Sequence, residues 1–421
     1  MITKLVNQNE TKMRVLKLKY LIFSMLFASL ASISGAQEIG LPFIRNYTPK
    51  EYSNSTQIFG AVQDTRGVFY FGVADGVMEY DGISWRIISN KKQAYTYDLA
   101  KDNNGRIYIG ANKEFGYLDI DSIGNTIYKS LTHLIRDTNF KLGAVWSVKP
   151  TSKFVYFRTY NAILQYSASP EKLLIFNADS THSFSVDFVY KDVYYTRMFQ
   201  KGLMKIENNE LTQVPKSDFF KDIYSLVILP YNPTTLLIPT RNNGLYLFQP
   251  NTDASAKKFN ISDSDFISDN NIYSASVFQN DEFVLGSLKK GAILFDKQGK
   301  TLQHYQESNL LQNNEILKIT TDTCQNMWFG LNNGISKTEH SLDLSYWNKD
   351  VGLQGIVEQV IRHDSTIYIA TSTKIYFINN KNQIQEVQNI QTGQCWCFLE
   401  TKNINSLLVG ISDGIYEIKI A

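Results

Sequence analysis

The fold of this chain is decided by residues 58–81, which read IFGAVQDTRGVFYFGVADGVMEYD. Three short runs of aromatic and β-branched residues alternate here with two turn segments, Asp64–Gly67 and Asp75–Gly76. Such residues favour strands, and Gly allows tight turns between them. The stretch therefore predicts a three-stranded antiparallel meander. Because a meander of this size cannot bury both of its faces alone, other segments of the chain must pack against it.

The end of the second predicted strand, Tyr70-Phe71-Gly72, recurs along the chain. Eight further copies follow at intervals of 38 to 48 residues. They end at Gly110, Arg158, Thr196, Pro239, Gly286, Gly330, Ala370 and Gly410. Each copy precedes a polar turn and a short apolar strand, and a fourth strand such as Trp85–Ile88 usually completes the unit. Four short strands in about 40 residues are typical of a β-propeller blade, so the predicted fold is all-β, a β-propeller of about nine four-stranded blades.

Nine repeats leave two arrangements open. Residues 37–344 could form a first propeller of seven blades, with repeats eight and nine in residues 345–421 as the start of a second. Alternatively, all nine repeats close into one ring, since Phe43–Tyr47 resembles a fourth strand that could complete the last blade. Single propellers usually hold four to eight blades, which favours the seven-plus-two arrangement.

Residues 1–36 have the features of a signal peptide. Basic residues precede the apolar run Tyr20–Ala28, and small residues follow it as far as Ala36. The run is short for a membrane-spanning helix, so cleavage is favoured over a retained signal anchor. The mature protein is predicted to begin at Gln37 and to be exported, soluble, to the periplasm or cell surface.

The composition excludes some classes of partner and suggests how the core is built. A formal net charge of +2 over 421 residues gives no basic field of the size that nucleic-acid binding needs. There are 25 Tyr and 25 Phe but only three Cys, which predicts an aromatic core without disulfide staples. Cys395 and Cys397 are two residues apart on one strand, and these two and Cys324 are expected to be free and buried, although export would permit a disulfide.

No motif for catalysis, a metal or a cofactor stands out. The histidines lie in different repeats without metal-ligand spacing; they are His133, His182, His304, His340 and His363. The Asp-x-x-Gly turns at Asp64 and Asp102 offer one carboxylate each, too few for calcium, and are interpreted as turn residues. No nucleophile triad or phosphate loop is recognisable, and no pair of acids is singled out for glycosidic chemistry.

The repeat resembles the two-component regulator propeller repeat. The resemblance rests on Gln63–Gly72 followed by Asp75-Gly76-Val77 and Tyr80-Asp81-Gly82, and the copies at 102–110 and 327–335 agree well. The copies around Arg158 and Thr196 have lost the terminal Gly and match poorly. The segment Gly40–Tyr47 also resembles the start of exported sensor proteins of the Bacteroidetes type.

The resemblance covers nearly all of the mature chain and implies a function. In such proteins two propellers outside the inner membrane bind a ligand, often an oligosaccharide. A β-sandwich domain with three tyrosines and a transmembrane helix then lead to a histidine kinase or helix-turn-helix output. This chain is expected to be the extracytoplasmic input part of a two-component or one-component regulator, itself not an enzyme. Either a further C-terminal output region or a membrane-anchored partner would carry the signal, and a homodimer is left open.

One face of the predicted propeller collects cations. In repeats three to six, the turn after the second strand carries Lys or Arg, twice with an aromatic neighbour. The candidate ligand-binding residues are Arg158, Tyr160, Arg197, Phe199, Arg241, Lys289 and Lys290. They could form a crescent for an anionic or uronic-acid-bearing glycan, although turns are also charged simply because they are solvated.

Two other functions are compatible with the fold. A propeller lyase or hydrolase acting on glycans would bring a carboxylate pair or a Tyr–His pair together at the channel mouth. A protein-interaction propeller would expose an apolar patch and have no concave polar pocket.

Overall fold

The computed structural model consists almost entirely of short antiparallel strands. The described residues are 41–90, 94–250, 252, 255–309, 311–339, 345–347, 349, 352–379, 384–388, 390, 393–401 and 406–419. The predicted signal peptide, residues 1–36, lies outside the described residues, as does His340. The described chain divides into two units, one within residues 42–344 and one within residues 345–421.

The unit 42–344 begins with six sheets, each made of four consecutive strands, and we refer to each sheet as a blade. Blade one comprises β2 (Gly60–Gln63), β3 (Phe69–Val73), β4 (Gly76–Tyr80) and β5 (Trp85–Ser89). Blade two comprises β6 (Thr96–Lys101), β7 (Ile107–Ala111), β8 (Glu114–Ile120) and β9 (Thr126–Ser130). Blade three comprises β10 (Ser147–Pro150), β11 (Val155–Arg158), β12 (Ala162–Ala168) and β13 (Glu171–Asn177).

Blades four to six repeat this order. Blade four comprises β14 (Phe184–Tyr190), β15 (Val193–Met198), β16 (Gly202–Glu207) and β17 (Glu210–Gln213). Blade five comprises β18 (Leu229–Asn232), β19 (Thr235–Pro239), β20 (Leu245–Phe248) and β21 (Lys257–Phe259). Blade six comprises β22 (Ile272–Val277), β23 (Phe283–Ser287), β24 (Ala292–Phe295) and β25 (Thr301–Tyr305).

The seventh blade is completed from the N-terminal end of the described chain. Its first three strands are β26 (Ile316–Thr321), β27 (Met327–Leu331) and β28 (Ile335–Glu339). The fourth is β1 (Leu41–Tyr47), which pairs antiparallel with β28 so that Tyr47 lies opposite Ile335. The segment 43–47, expected to act as a fourth strand, therefore belongs to blade seven.

Hydrophobic clusters join each blade to the next around a closed ring of seven. Seven clusters of buried side chains each combine residues of two neighbouring blades. One of these clusters joins blade seven to blade one. In it the aromatic ring centroids of Trp328 and Phe69 are 4.3 Å apart. The Ile58 N–H also donates to the Leu331 carbonyl at 3.0 Å.

The second unit contains two further blades. After β29 (Ser345–Tyr346), one blade comprises β30 (Val357–His363), β31 (Thr366–Thr371), β32 (Ile375–Ile378) and β33 (Ile384–Glu386). The other comprises β34 (Cys395–Glu400), β35 (Ser406–Ile411) and β36 (Gly414–Lys419). A shared core that includes Tyr368, Phe398 and Val409 joins them. Nine antiparallel sheets in the described residues confirm the predicted fold class, an all-β propeller.

Helices are short and lie mostly in the connections between blades. They are α1 (Pro49–Tyr52), α2 (Phe219–Asp222) and α3 (Asp265–Asn270), with 3-10 turns at Thr132–Leu134, Gln279–Asp281 and Glu307–Asn309. In the described part of the chain, none of these is long and apolar enough to cross a membrane.

The first strand of blade five is shorter than its sequence pattern suggests. The apolar run Ile223–Leu229 predicts a strand, yet β18 begins only at Leu229. Pro239 ends the partner strand and has no N–H to donate to a longer ladder. The Ser225 hydroxyl instead donates to the Pro239 carbonyl at 2.6 Å, so residues 223–228 form an irregular approach to the blade.

The cysteines are free, but only Cys395 is buried, while Cys324 and Cys397 are exposed. The expectation that all three are buried is therefore wrong. The strand pairing shifts between Cys395, which faces Ile411, and Cys397, which faces Gly410. This bulge breaks the two-residue alternation on which a shared face for Cys395 and Cys397 depends.

The recurrent Gly at the end of the second strand allows close contact between blades, which we call a tight seam. A Cβ placed on Gly72 would lie 2.7 Å from the Thr96 carbonyl oxygen of the next blade. At Gly110 the same Cβ would lie 2.9 Å from the Val145 carbonyl oxygen, and at Gly330 it would lie 2.7 Å from that of Ile58. These distances are too short for any side chain, so the repeat requires Gly wherever a seam is tight.

Candidate ligand-binding site

A cavity of about 690 Å³ lies among the first strands of the seven-bladed ring. This volume is in the range of small-molecule sites, which span about 300–1,000 Å³. Residues of blades two to seven line it, together with Phe59 from the approach to blade one. The wall combines aromatic rings with charged side chains, as expected of a site that orients a polar ligand.

Equivalent positions on the first strands form a polar layer in the wall. Asp98, Ser274 and Lys318 each lie opposite the Gly that ends the second strand of their own blade. Ser147 and Asp187 take the same place in blades three and four, opposite Arg158 and Thr196. All five residues line the cavity, so the repeat presents one side chain per blade at this level.

Asp98 is buried within an ion cluster that links three blades. Lys318 Nζ lies 2.8 Å from its Oδ1, Lys149 Nζ lies 3.5 Å from its Oδ2, and the Val148 N–H donates to Oδ2 at 3.0 Å. Burial by itself raises the pKa of Asp98, but the two ammonium groups and the backbone donor outweigh it and hold that pKa below its ordinary value. Asp98 is therefore charged at neutral pH.

Lys318 reaches Asp98 past blade one. At the equivalent position blade one has Gly60, opposite Gly72. Gly60 has no side chain to block the route, and a Cβ there would lie 2.6 Å from Leu99 Cδ1. Blade one therefore contributes no side chain to the polar layer, and Lys318 of blade seven pairs with Asp98 of blade two.

Arg158 stands where tight seams have Gly. Its side chain lines the cavity with only 12% of its surface exposed, and its Nε lies 3.1 Å from Asp187 Oδ1 of the next blade. Nε is nevertheless buried without an aligned hydrogen bond, so the contact is an ion pair by distance only. Asp187 is held separately, because the Tyr194 hydroxyl donates to its Oδ2 at 2.9 Å. Burial and this carboxylate raise the pKa of Tyr194.

Arg197 has the opposite environment. It is buried, and its Nε and Nη2 donate to the Phe220 and Lys221 carbonyls of α2 at 2.6 and 2.7 Å. Its Nη1 contacts the Ser185 hydroxyl at 3.3 Å. The guanidinium thus satisfies the carbonyls of a short helix, and it does not face the cavity.

Of the other predicted site residues, some line the cavity and some do not. Tyr160 and Arg241 line the cavity with Arg158, and the Arg241 guanidinium carbon lies 5.7 Å from the Tyr224 ring centroid. Phe199 is exposed beside Arg197. Lys289 and Lys290 are exposed on their turn and, within the described residues, lie outside the cavity wall. The structure brings three of the seven candidates together and leaves four apart.

Aromatic rings form a continuous row on one side of the cavity. Phe59 contacts Tyr97 with ring centroids 6.0 Å apart, and Tyr97 contacts Trp146 at 4.3 Å. Trp146, Tyr160 and Tyr224 are 39%, 56% and 42% exposed. Exposed rings lining a concave surface are suited to stacking on a planar or cyclic ligand.

Sequence reasoning missed the charged residues of the first strands because it examined only the turns. A signal was present, since Asp98, Ser274 and Lys318 each precede the terminal Gly of their repeat by twelve residues. Reading that column of the aligned repeats would have gathered these residues on one level of the ring.

The fold is shared with extracellular domains of bacterial regulators. No protein-family model and no curated protein matches the chain. Among solved structures, the extracellular domain of a hybrid two-component system from B. thetaiotaomicron has a TM-score of 0.63 and 15% identity, covering 90% of this chain and 59% of that one. The extracellular domain of a one-component system from the same organism has a TM-score of 0.55 and 16% identity, covering 89% and 52%.

Enzymes also share the architecture. Virginiamycin B lyase from Staphylococcus aureus has a TM-score of 0.54 and 12% identity, covering 70% of this chain and 98% of its own. At such identities the likeness shows the propeller fold. The chain spans a little over half the length of the two regulator domains, and their occurrence among the neighbours matches the resemblance seen in the repeats.

Proposed function

We propose that this chain is the extracytoplasmic ligand-sensing part of a two-component or one-component regulator. It binds a glycan or other small ligand in the central cavity and does not transform it. The observation that carries the proposal is the cavity itself, about 690 Å³, with exposed Trp and Tyr rings beside charged side chains. A concave polar pocket of this kind favours a small ligand over the alternative of a protein-interaction propeller.

The regulator domains among the structural neighbours support this role. They are extracellular, which agrees with export by the predicted signal peptide at residues 1–36. Because the chain spans only 52% and 59% of their lengths, the output is part of the proposal. It would come from further segments of the protein or from a membrane-anchored partner that reads ligand-dependent changes in blade packing.

The carboxylates of the cavity argue against a glycan-active enzyme. Asp98 is held charged by two lysines, and Asp187 accepts from Tyr194 and faces Arg158. A general acid needs a raised pKa, whereas the pKa of Asp98 is lowered. Within the described residues no histidine lines the cavity, so the Tyr–His pair expected of a lyase is absent from its wall.

Binding can be followed by tryptophan fluorescence. Purified protein is titrated with a panel of oligosaccharides, and we expect a saturable change that is lost in Trp146→Phe, because Trp146 lines the cavity. Trp396→Phe is the matched control, since Trp396 is exposed in the other unit. Recovery of the sugar unchanged is expected, whereas a cleaved product would establish the enzyme alternative.

A further inference from the structure

We infer that the ligand of the cavity is a saccharide bearing a carboxylate, and that Arg158 receives this carboxylate. The inference rests on the proposed function and narrows its ligand to one chemical class. It comes from the charges of the wall, the hydrogen bonds that Arg158 lacks and the rings around it.

The cavity has more positive than negative side chains. The lining includes four cations, Lys149, Arg158, Arg241 and Lys318, and two carboxylates, Asp98 and Asp187. The two lysines share Asp98, and Asp187 is the only carboxylate within reach of Arg158 among the described residues. An anionic ligand would balance the excess charge in a space where solvent screening is reduced.

Arg158 has donors without acceptors. A guanidinium has five N–H groups arranged for paired acceptors. In the described part of the chain, Arg158 makes one ion pair through Nε at 3.1 Å and no aligned side-chain hydrogen bond. Nε is buried without a hydrogen-bond partner, and the guanidinium belongs to a side chain that lines the cavity, where a carboxylate can accept from two of its donors at once.

Asp187 can remain in place while Arg158 binds a second carboxylate. Its Oδ2 accepts from Tyr194, which fixes the group from the side of its own blade. It also competes with a ligand for the same guanidinium, because its Oδ1 faces Nε. Removing the charge of Asp187 should therefore strengthen binding of an anion, whereas removing that of Arg158 should weaken it.

The remainder of the wall is suited to a sugar. Trp146, Tyr160 and Tyr224 are partly exposed, and the apolar face of a pyranose can stack on an exposed ring. Ser147 and Ser274 also line the cavity, where their hydroxyl oxygens accept from Lys149 Nζ and the Ile319 N–H and each keeps one O–H donor. A small inorganic anion would leave these surfaces unused, so the geometry points to a sugar acid.

The test is calorimetric titration of the whole protein with matched probes. Trimers of galacturonate, glucuronate, mannuronate and guluronate are compared with the corresponding neutral trimers and with acetate. We expect at least one acidic trimer to bind at least tenfold more tightly than its neutral counterpart, and acetate to bind weakly. Arg158→Gln should weaken acidic binding about 10- to 100-fold, the usual effect of losing a charged hydrogen-bond partner.

Two further variants separate a ligand contact from a structural role. Asp187→Asn keeps an oxygen for Tyr194 and should tighten acidic binding while leaving neutral sugars unaffected. Arg86→Gln removes an arginine that pairs with Glu79 at 2.8 Å, away from the cavity wall, and should change nothing. A merely structural Arg158 would not give opposite effects in the two cavity variants.

The binding results distinguish failure of this inference from failure of the proposed function. Equal binding of acidic and neutral trimers, or an unchanged preference in Arg158→Gln and Asp187→Asn, overturns the inference and leaves the proposed function standing. Failure of every acidic and neutral probe to bind counts against both.

Discussion

The seams between blades one and two and between blades three and four show how one repeat serves two purposes. Gly72 is the penultimate residue of the second strand of blade one, and the backbone of blade two packs directly on it, with the Thr96 carbonyl oxygen 2.7 Å from where its Cβ would be. Arg158 ends the same strand of blade three and sends its side chain to Asp187 of blade four. We call this second kind an open seam. Where Arg158 replaces the Gly, a site of backbone contact between blades becomes one where a charged side chain faces the cavity.

The largest loss of stability is expected from adding a side chain at a tight seam. Gly110→Ala places a Cβ 2.9 Å from the Val145 carbonyl oxygen and 2.7 Å from Val145 Cγ1. Because a backbone oxygen cannot move aside by rotation of a side chain, we expect a loss of about 3 kcal/mol in the free energy of unfolding. Urea denaturation measures it.

Gly143→Ala is the matched control for that change. Nothing lies within 4 Å of the Cβ position at Gly143, so its stability should stay within about 0.5 kcal/mol of the wild type. If Gly110→Ala and Gly143→Ala were equally mild, the distinction between tight and open seams would fail.

The next largest difference in stability is expected between variants of Arg197 and Arg158. Arg197→Gln removes donors from the Phe220 and Lys221 carbonyls and should cost about 2 kcal/mol of stability, since buried acceptors lose their partners. Arg158→Gln should cost less, about 1 kcal/mol, because Arg158 makes a single ion pair and Asp187 keeps its hydrogen bond from Tyr194 when that pair is lost. Thermal or urea unfolding of both variants measures the difference. A larger loss for Arg158→Gln would assign the structural role to the wrong arginine.

A smaller effect is expected at the ion cluster. Asp98→Asn leaves Lys149 and Lys318 without their counter-charge, but both are partly solvated, so we expect a loss of about 1–2 kcal/mol. The pKa of Asp98 is lower in the folded protein. Its contribution is therefore complete above the unfolded pKa of about 3.9 and is lost as the pH falls through the folded value.

Denaturation of Asp98→Asn and wild type between pH 7 and pH 3 measures this contribution. The difference between the two proteins should shrink on acidification. Asp119→Asn, which breaks a more exposed pair with Lys129, is the control and should cost less than about 1 kcal/mol. A difference in stability that grows as the pH falls would mean that the pKa of Asp98 is raised on folding, contrary to the expected direction.

The smallest effect on stability is expected at Arg241. It is exposed, with a long 3.3 Å contact to Asn271 and a ring contact with Tyr224. Arg241→Gln should change the free energy of unfolding by less than about 0.5 kcal/mol, in contrast to Arg197→Gln. A loss comparable to that of Arg197→Gln would show that Arg241 also supports the fold.

Much of the architecture could be predicted because it is repeated. The spacing of the second strands and the turn residues between them led to propeller blades. Phe43–Tyr47 was expected to complete the last blade of a nine-bladed ring, whereas it is the fourth strand of blade seven. Blade five was predicted less well, since the apolar run 223–229 looks like a strand while Pro239 removes its pairing partner. A local pattern contains no information on whether a neighbouring strand can supply its hydrogen bonds.

The candidate site was predicted only in part, and its role in binding stays a prediction. Loss of the terminal Gly drew attention to Arg158, which lies on the cavity wall with Tyr160 and Arg241. The same reasoning selected Arg197, whose side chain turns toward α2 instead. Arg197 follows Thr196, the counterpart of Arg158, by one residue, and successive side chains of a strand point to opposite faces. The partners that hold each arginine also come from distant segments.

The sequence alone established the all-β repeat and the order of the strands within each unit, since these follow from local spacing and turn residues. Only the tertiary structure decided that Trp328 packs on Phe69 to close seven blades into a ring. It also decided that Asp98 meets lysines from two other blades and that Arg158 retains donors facing a cavity. These features depend on contacts between residues far apart in the chain, which exist only once the ring has formed.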